Sequence, residues 1–295
     1  MPRARAVTPP ALWWQGARPK TLSASLAPVV VGTAVAAHYG DVVAWRTGAA
    51  AVVALALQVG VNYANDYSDG VRGVDTAERR GPVRLTASGL APPVAVKRAA
   101  IVAFGVGAAA GIALAVAVDL RLLLVGAAAV LAAALYSGGP RPYASAGLGE
   151  AAVLVFFGLV ATCGSAYVHL ERVPWLAVAA SLAVGLLACA ILLVNNLRDV
   201  DTDRVAGKRT LAVRVGPERT RRLYAAAVVG SFVAVVAVGV GAPPALVALA
   251  AAPLAVPPLR TVASRSDPPA LVGALVATAR LELVVAVLLA VGLWL

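Results

Sequence analysis

Two short polar stretches carry the chemistry open to this chain. The first reads Asn62-Tyr63-Ala64-Asn65-Asp66-Tyr67-Ser68-Asp69 and the second Asn195-Asn196-Leu197-Arg198-Asp199-Val200-Asp201-Thr202-Asp203. Each follows a long apolar run, and each sets an Asp four residues after an Asn and a further Asp seven or eight residues after it. On a helix these offsets share one face, so each stretch predicts a stripe of one amide and two carboxylates near a helix end. Carboxylates bordering an apolar span mark function. Asp66, Asp69, Asp199 and Asp203, facing one another, stay ionised together only if cations neutralise them. Carboxylate and amide oxygens are hard ligands that suit Mg²⁺, which keeps part of its water and bridges to phosphate oxygens. Basic residues adjoin both stretches: Arg72, Arg79, Arg80 and Arg84 after the first, Lys208 and Arg209 after the second. A diphosphate is held in this way, between metal and guanidinium or ammonium groups. Apolar surroundings add room for a hydrocarbon tail, so the residues point to a lipid-linked diphosphate whose departure is eased by metal and cations.

Other chemistries find no residues. His38 and His169 stand alone at span ends, which favours packing over ligation, and no Cys/His set for zinc exists. Cys163 and Cys189 lie inside apolar runs and read as small buried hydrophobes rather than a disulfide. Gly70, Gly73 and Gly81 read as loop turns, not a phosphate-binding glycine loop.

The elements that must position these residues are membrane helices. Of 295 residues 61% are hydrophobic and 13% charged, and mean hydropathy is +0.86. A soluble chain of this length cannot hide so much apolar surface. Apolar runs of about 20 residues cross a bilayer, and such runs fall near 21–39, 47–65, 96–118, 121–137, 150–169, 174–196, 223–240, 244–259 and 272–295. The eighth, crowded by Pro243, Pro244, Pro253, Pro257 and Pro258, is expected to be kinked or short. The expected fold is all-α: one transmembrane domain, 1–295, of nine spans. Its long loops, 66–95 and 197–222, cap a central cavity. Residues 1–20, basic and bearing Trp13 and Trp14, read as an uncleaved interfacial segment.

With the N-terminus inside, only Arg46, Arg121 and Arg172 of the 25 Lys and Arg fall in outside segments, and Arg280 lies in the last span. That bias orients both Asp stretches toward the cytoplasm. It also accounts for the net charge of +11 as topology and anionic-lipid attraction, without nucleic acid. Two similar stretches after the second and sixth spans suggest a weak internal repeat with the site at its interface.

The paired stretches resemble the aspartate motifs of the UbiA-type intramembrane prenyltransferases, over nearly the whole chain. Asn62, Asp66 and Asp69, with Asp75 as a more widely spaced last acid, match the first motif. Asn195, Asp199 and Asp203 match the second. Arg84 with Ser88-Gly89 resembles the family's Arg-Pro-Leu-x-Ser-Gly run, with Leu85 where Pro is common, and Lys208 and Thr210 match its Lys-x-Thr. The chain is most similar to the 1,4-dihydroxy-2-naphthoate polyprenyltransferase branch. That likeness rests on 17–22 (Ala-Arg-Pro-Lys-Thr-Leu), 65–70 (Asn-Asp-Tyr-Ser-Asp-Gly), 136–140 with 147–150, and 207–214.

The resemblance implies Mg²⁺-dependent transfer of a polyprenyl group from polyprenyl diphosphate to 1,4-dihydroxy-2-naphthoate at the cell membrane. Diphosphate and CO₂ are lost and demethylmenaquinone forms. It further implies that Asp66, Asp69, Asp199 and Asp203 hold two Mg²⁺. Asn62 and Asn195 complete the shells or bind diphosphate, and Arg72, Arg84, Arg141 and Lys208 neutralise it. Tyr63, Tyr67 and Tyr136 either stabilise an allylic cation through their ring faces or pack. Arg18 or Lys20 either binds the acceptor's carboxylate or anchors the chain by the positive-inside rule. Glu150 and Asp201 receive no role, and Glu150 is accounted for as a charge at a helix N-terminus. Arg280 and Glu282, two apart, do not face each other on a helix, and Arg280 snorkels toward the cytoplasm. The competing readings are another acceptor (4-hydroxybenzoate, homogentisate or a sugar phosphate), a cation-coupled carrier, and acidic stretches that merely solvate loops.

Overall fold

The computed structural model describes residues 8–19, 22–73, 83–139 and 142–295. Among these residues the regular structure is all helical: α1 (Pro10–Gly16), α2 (Ser23–Tyr39), α3 (Ala44–Val71), α4 (Pro93–Ala117), α5 (Leu122–Ser137), α6 (Gly149–Leu170), α7 (Trp175–Arg198), α8 (Val200–Val205), α9 (Leu211–Val215), α10 (Pro217–Gly241), α11 (Pro243–Ser264) and α12 (Pro268–Trp294). Among the described residues, α3, α4, α6, α7, α10, α11 and α12 are long and apolar enough to cross a membrane. The apolar helices α2 and α5 are shorter, at 17 and 16 residues.

Proline at the first position starts α4, α10, α11 and α12, where its missing N–H costs nothing. Asp267 caps α12, accepting from the Ala270 amide at 3.2 Å. The proline-rich α11 begins as a 3₁₀ segment, Pro243–Ala251, and becomes α-helical over Ala252–Ser264.

Two apolar clusters divide the molecule. The larger is built on α7, the most buried of the candidate spans, packed by α2, α6, α10 and α12. Small residues set the distances here. A Cβ on Gly185 of α7 would stand 2.7 Å from the Cα of Gly158, in the π-helical turn of α6. The smaller cluster joins Ala17, Tyr63, Leu85, Ala91, Val96 and Ala100, tying the α1 exit, α3 and the 84–91 segment to α4. No residue of α5 is buried; it leans on α3 and α4 and walls the space between the clusters. At the end of the bundle away from the polar stretches, Arg46 donates to the Val168 carbonyl at 2.8 Å. His169 accepts from the Val43 amide at 3.2 Å and meets Thr47 through its other nitrogen, a packing role.

The expected boundaries change where polar residues find internal partners. The apolar run ends at 65, yet α3 continues to Val71, so Asp66 and Asp69 lie on a helix rather than in a loop. The continuation is held by its own polar face: Ser68 donates to the Ser137 carbonyl at 2.7 Å, and Asp66 takes up backbone amides beyond it. The expected loop 197–222 holds α8, α9 and the first turns of α10. The second polar stretch, unlike the first, is not on one continuous helix. The α-helix breaks at Asp199 (φ −95°, ψ 7°), and Asp203 stands on α8.

Candidate active site

A cavity of about 900 Å³ lies between the two clusters and is walled mainly by Ala, Val, Leu and Phe of α3, α5 and α6. Its polar end is lined by Arg18, Asn62, Asn65, Asp69, Arg84, Asn195, Asn196, Asp199, Asp203 and Lys208, so the two stretches distant in sequence meet. Tyr136 and Tyr143 line it as well, ring against ring at 5.5 Å and 89°. Tyr143 donates its hydroxyl to the Ala132 carbonyl at 2.8 Å, and burial pushes its phenol up to about 12.

Asp69 is the electrostatic junction. Lys208 donates to its Oδ2 at 3.1 Å and Arg84 approaches the same oxygen at 3.9 Å, with all three carboxylate and cation side chains largely withdrawn from solvent. Lys208 is placed by the turn after α8, where its amide donates to the Asp203 carbonyl at 2.8 Å and Gly207 adopts φ +73°. Thr210 lies 3.4 Å from Asp203 Oδ2. Asp66 faces away from the cavity lining. Its two oxygens accept the Leu85 and Thr86 amides at 2.7 and 2.8 Å, which fixes the 84–86 segment and with it Arg84.

Asn62 donates to the Ala17 carbonyl at 2.9 Å and accepts from Gln58 at 3.3 Å. It thereby holds the residue before Arg18, which takes φ +57° and lines the cavity. Arg72 donates to the Gly139 carbonyl, stitching α3 to the end of α5, and does not line the cavity. Tyr63 donates to the Trp13 carbonyl at 2.8 Å and meets the Trp13 ring edge-on, also outside the lining. Lys97 lies 5.7 Å over the Tyr67 ring. Lys20, Asp75 and Arg141 lie outside the described residues.

Three lining or adjoining residues escaped the sequence reading. Asn65 lines the cavity one turn before Asp69 and accepts from Ser137; its four-residue offset from Asp69 repeats that of Asn62 from Asp66. Asn196 lines the cavity beside Asn195. Arg198 grips Asp199 with two hydrogen bonds of 2.7 and 2.6 Å and reaches Asn195 Oδ1 at 2.9 Å. Adjacent residues do not face each other on a continuous helix, so only the break at Asp199 lets this pair form.

Among the described residues no three His, Cys, Asp or Glu side chains converge closely enough to cage a metal. The donor set instead offers separated carboxylates and amides around a polar cavity end. This fits Mg²⁺, which takes one or two carboxylates and completes its octahedron with water and phosphate oxygens.

The UbiA prenyltransferase family matches residues 25–270. The chain is 49% identical to "1,4-dihydroxy-2-naphthoate octaprenyltransferase" of Mycobacterium tuberculosis, over 83% of this chain and 84% of that protein. It is 37% identical to the protein of the same name from Escherichia coli, over 96% and 95%. Two solved structures share the fold. A UbiA homologue from Aeropyrum pernix K1 superposes with a TM-score of 0.66 at 21% identity, over 92% of this chain and 96% of that one. A UbiA homologue from Archaeoglobus fulgidus, solved bound to GPP and Mg²⁺, gives 0.63 at 17%, over 94% and 99%. The motifs, the helical architecture and these matches agree: this multi-pass membrane chain belongs to the UbiA prenyltransferase family.

Proposed function

We propose that this protein transfers a polyprenyl group from polyprenyl diphosphate to 1,4-dihydroxy-2-naphthoate, a step of menaquinone synthesis. Relatives of that name over most of the chain support the acceptor and the donor. The observation that carries the chemistry is the junction at Asp69. A carboxylate, two cations and the second motif's carboxylates share one polar cavity end, and an apolar chamber opens behind it.

In this reading Asp69, Asp199 and Asp203 hold two Mg²⁺, with Asn62, Asn65 and Asn195 nearby as neutral oxygen donors or diphosphate partners. Mg²⁺ held by these residues would supply positive charge to offset what builds on the departing diphosphate. Lys208 and Arg84 bind diphosphate from the side of Asp69, and the family resemblance adds Arg141 to the diphosphate-binding set. Asp66 and Arg72 act through the backbone they hold: Asp66 positions Arg84, and Arg72 fixes the end of α5. The prenyl C1–O bond breaks and diphosphate leaves with the bonding pair. The acceptor ring forms the new C–C bond and loses its carboxylate as CO₂, giving the quinol form of demethylmenaquinone. Tyr136 supplies a ring face beside the allylic carbon, and Arg18 pairs with the acceptor's carboxylate.

The apolar walls take the first isoprene units, and the remaining tail lies in lipid. Nine spans follow from the number of apolar runs, and with that number the charge bias sets the N-terminus and the caps over the cavity on the cytoplasmic side. The site then opens to the cytoplasmic face of the cell membrane.

The test incubates purified protein with Mg²⁺, a polyprenyl diphosphate and a panel of aromatic acids, and identifies products by mass. Prenylated, decarboxylated naphthoquinol supports the reading. Product on 4-hydroxybenzoate or homogentisate alone moves the acceptor. Solute flux across sealed vesicles without diphosphate release would replace the enzyme with a carrier.

A further inference from the structure

Glu150, left without a role by its sequence position, is the second residue of α6 and is buried, at 8% exposure. A carboxyl so placed is expected to be hydrogen-bonded. Its Oε1 accepts from Asn196 Nδ2 at 2.8 Å. Its backbone carbonyl accepts from the Cys189 thiol at 3.2 Å, which seats this turn of α6 against α7. Oε2 is buried and has no hydrogen-bond partner among the described residues.

Asn196, in contrast to Glu150, lines the cavity. An Asn amide offers an acceptor oxygen and a donor nitrogen that exchange places on rotation. Glu150 removes that freedom: a flipped Asn196 would set oxygen against oxygen. The amide is therefore held with Nδ2 on Glu150 and Oδ1 turned away from it. Gly149, next to Glu150, lines the same cavity as Asn196, and a Cβ there would stand 3.3 Å from Leu192 and 3.5 Å from the Tyr136 hydroxyl. A fixed acceptor oxygen pairs with a hydroxyl, which donates. Diphosphate oxygens only accept, so this oxygen would serve diphosphate only through a metal ion, and its loss would then raise the prenyl diphosphate KM rather than the acceptor KM.

We propose that Glu150 is a positioning residue that aims Asn196 Oδ1 at a ring hydroxyl of the aromatic acceptor; this rests on the prenyl-transfer reading above and deepens it.

The test is two-substrate steady-state kinetics of the purified full-length enzyme and its Glu150→Ala, Glu150→Gln, Asn196→Ala and double-alanine variants, with thermal unfolding in parallel. Glu150→Ala is expected to raise the acceptor KM about tenfold, the effect of one buried hydrogen bond lost, and to leave the prenyl diphosphate KM within about twofold. Glu150→Gln offers Asn196 either an oxygen or an NH₂ and so no longer dictates which way the amide faces, and its acceptor KM is expected between those of wild type and Glu150→Ala. The double variant should match Asn196→Ala, because the two residues act as one unit. An unmoved acceptor KM in both alanine variants overturns the proposal, as does an equal rise in both KM values. Asn196→Ala, a partly exposed side chain, carries the test by itself if Glu150→Ala does not fold. In wild type, methylating a ring hydroxyl of the acceptor should weaken its binding, and in Asn196→Ala that penalty should vanish. A persistent penalty counts against Asn196. Absence of any prenylated product from wild type sinks the prenyl-transfer reading, whereas a productive wild type with an unmoved Glu150→Ala sinks only this inference.

Discussion

Lys208 Nζ stands 3.1 Å from Asp69 Oδ2, joining side chains 139 residues apart in the chain. This contact closes the polar end of the cavity, because Asp69 lies in the last turn of α3, whose Tyr63 belongs to one cluster, and Lys208 follows α8 after α7, which carries the other. Lys208→Ala leaves Arg84 as the cation on Asp69 and removes one ammonium from the diphosphate clamp. The prenyl diphosphate KM should rise at least about tenfold, since charge-assisted bonds to phosphate are among the strong ones. Unchanged kinetics would remove Lys208 from the clamp.

Asp66 and Asp69 separate by what they touch. Asp66→Ala strips the Leu85 and Thr86 amides of their acceptor, so it should lower unfolding stability by about 1–3 kcal/mol and loosen Arg84, reducing turnover as well. Asp69→Ala should abolish turnover with a smaller thermal shift. Thermal unfolding in detergent beside diphosphate release checks both. An Asp66→Ala protein as stable as wild type would refute the positioning role.

Arg198 holds Asp199 through a planar fork, and lysine has no such fork. Arg198→Lys preserves charge but not the two parallel bonds, and turnover should fall about tenfold as Asp199 loses its fixed orientation. Wild-type activity in that variant would show the pair to be incidental.

Chelation should stop diphosphate release, and added Mg²⁺ should restore it. Asp199→Ala should shift the Mg²⁺ concentration dependence upward or abolish turnover. A fully active Asp69→Ala/Asp199→Ala double variant would refute the metal roles of both motifs.

At the α6–α7 crossing, Gly185→Val would drive a side chain into Gly158 backbone only 2.7 Å from its Cβ. Backbone cannot yield as a flexible side chain does, and overpacking of this kind costs about 1–3 kcal/mol or more. The unfolding midpoint should fall, whereas Gly164→Ala, which meets nothing within 4 Å, should leave it unchanged.

The residue order by itself determined the helical membrane class and the chemistry of the polar stretches. Both are local properties: run length and apolarity report a helix's solvent, and an Asn-x-x-x-Asp spacing reports which oxygens share a face. Tertiary structure decided which of those oxygens the cavity receives. Asp66 and Asp69 lie on one helix three residues apart, and only packing shows that the first is taken up by the amides of Leu85 and Thr86 while the second faces Lys208. The bend at Asp199 makes neighbours of Arg198 and Asp199 side chains that a straight helix would splay. Glu150 and Asn196, 46 residues apart, carry no spacing signal at all. Periodicity encodes the face of one element, but partners across elements exist only once the helices have packed.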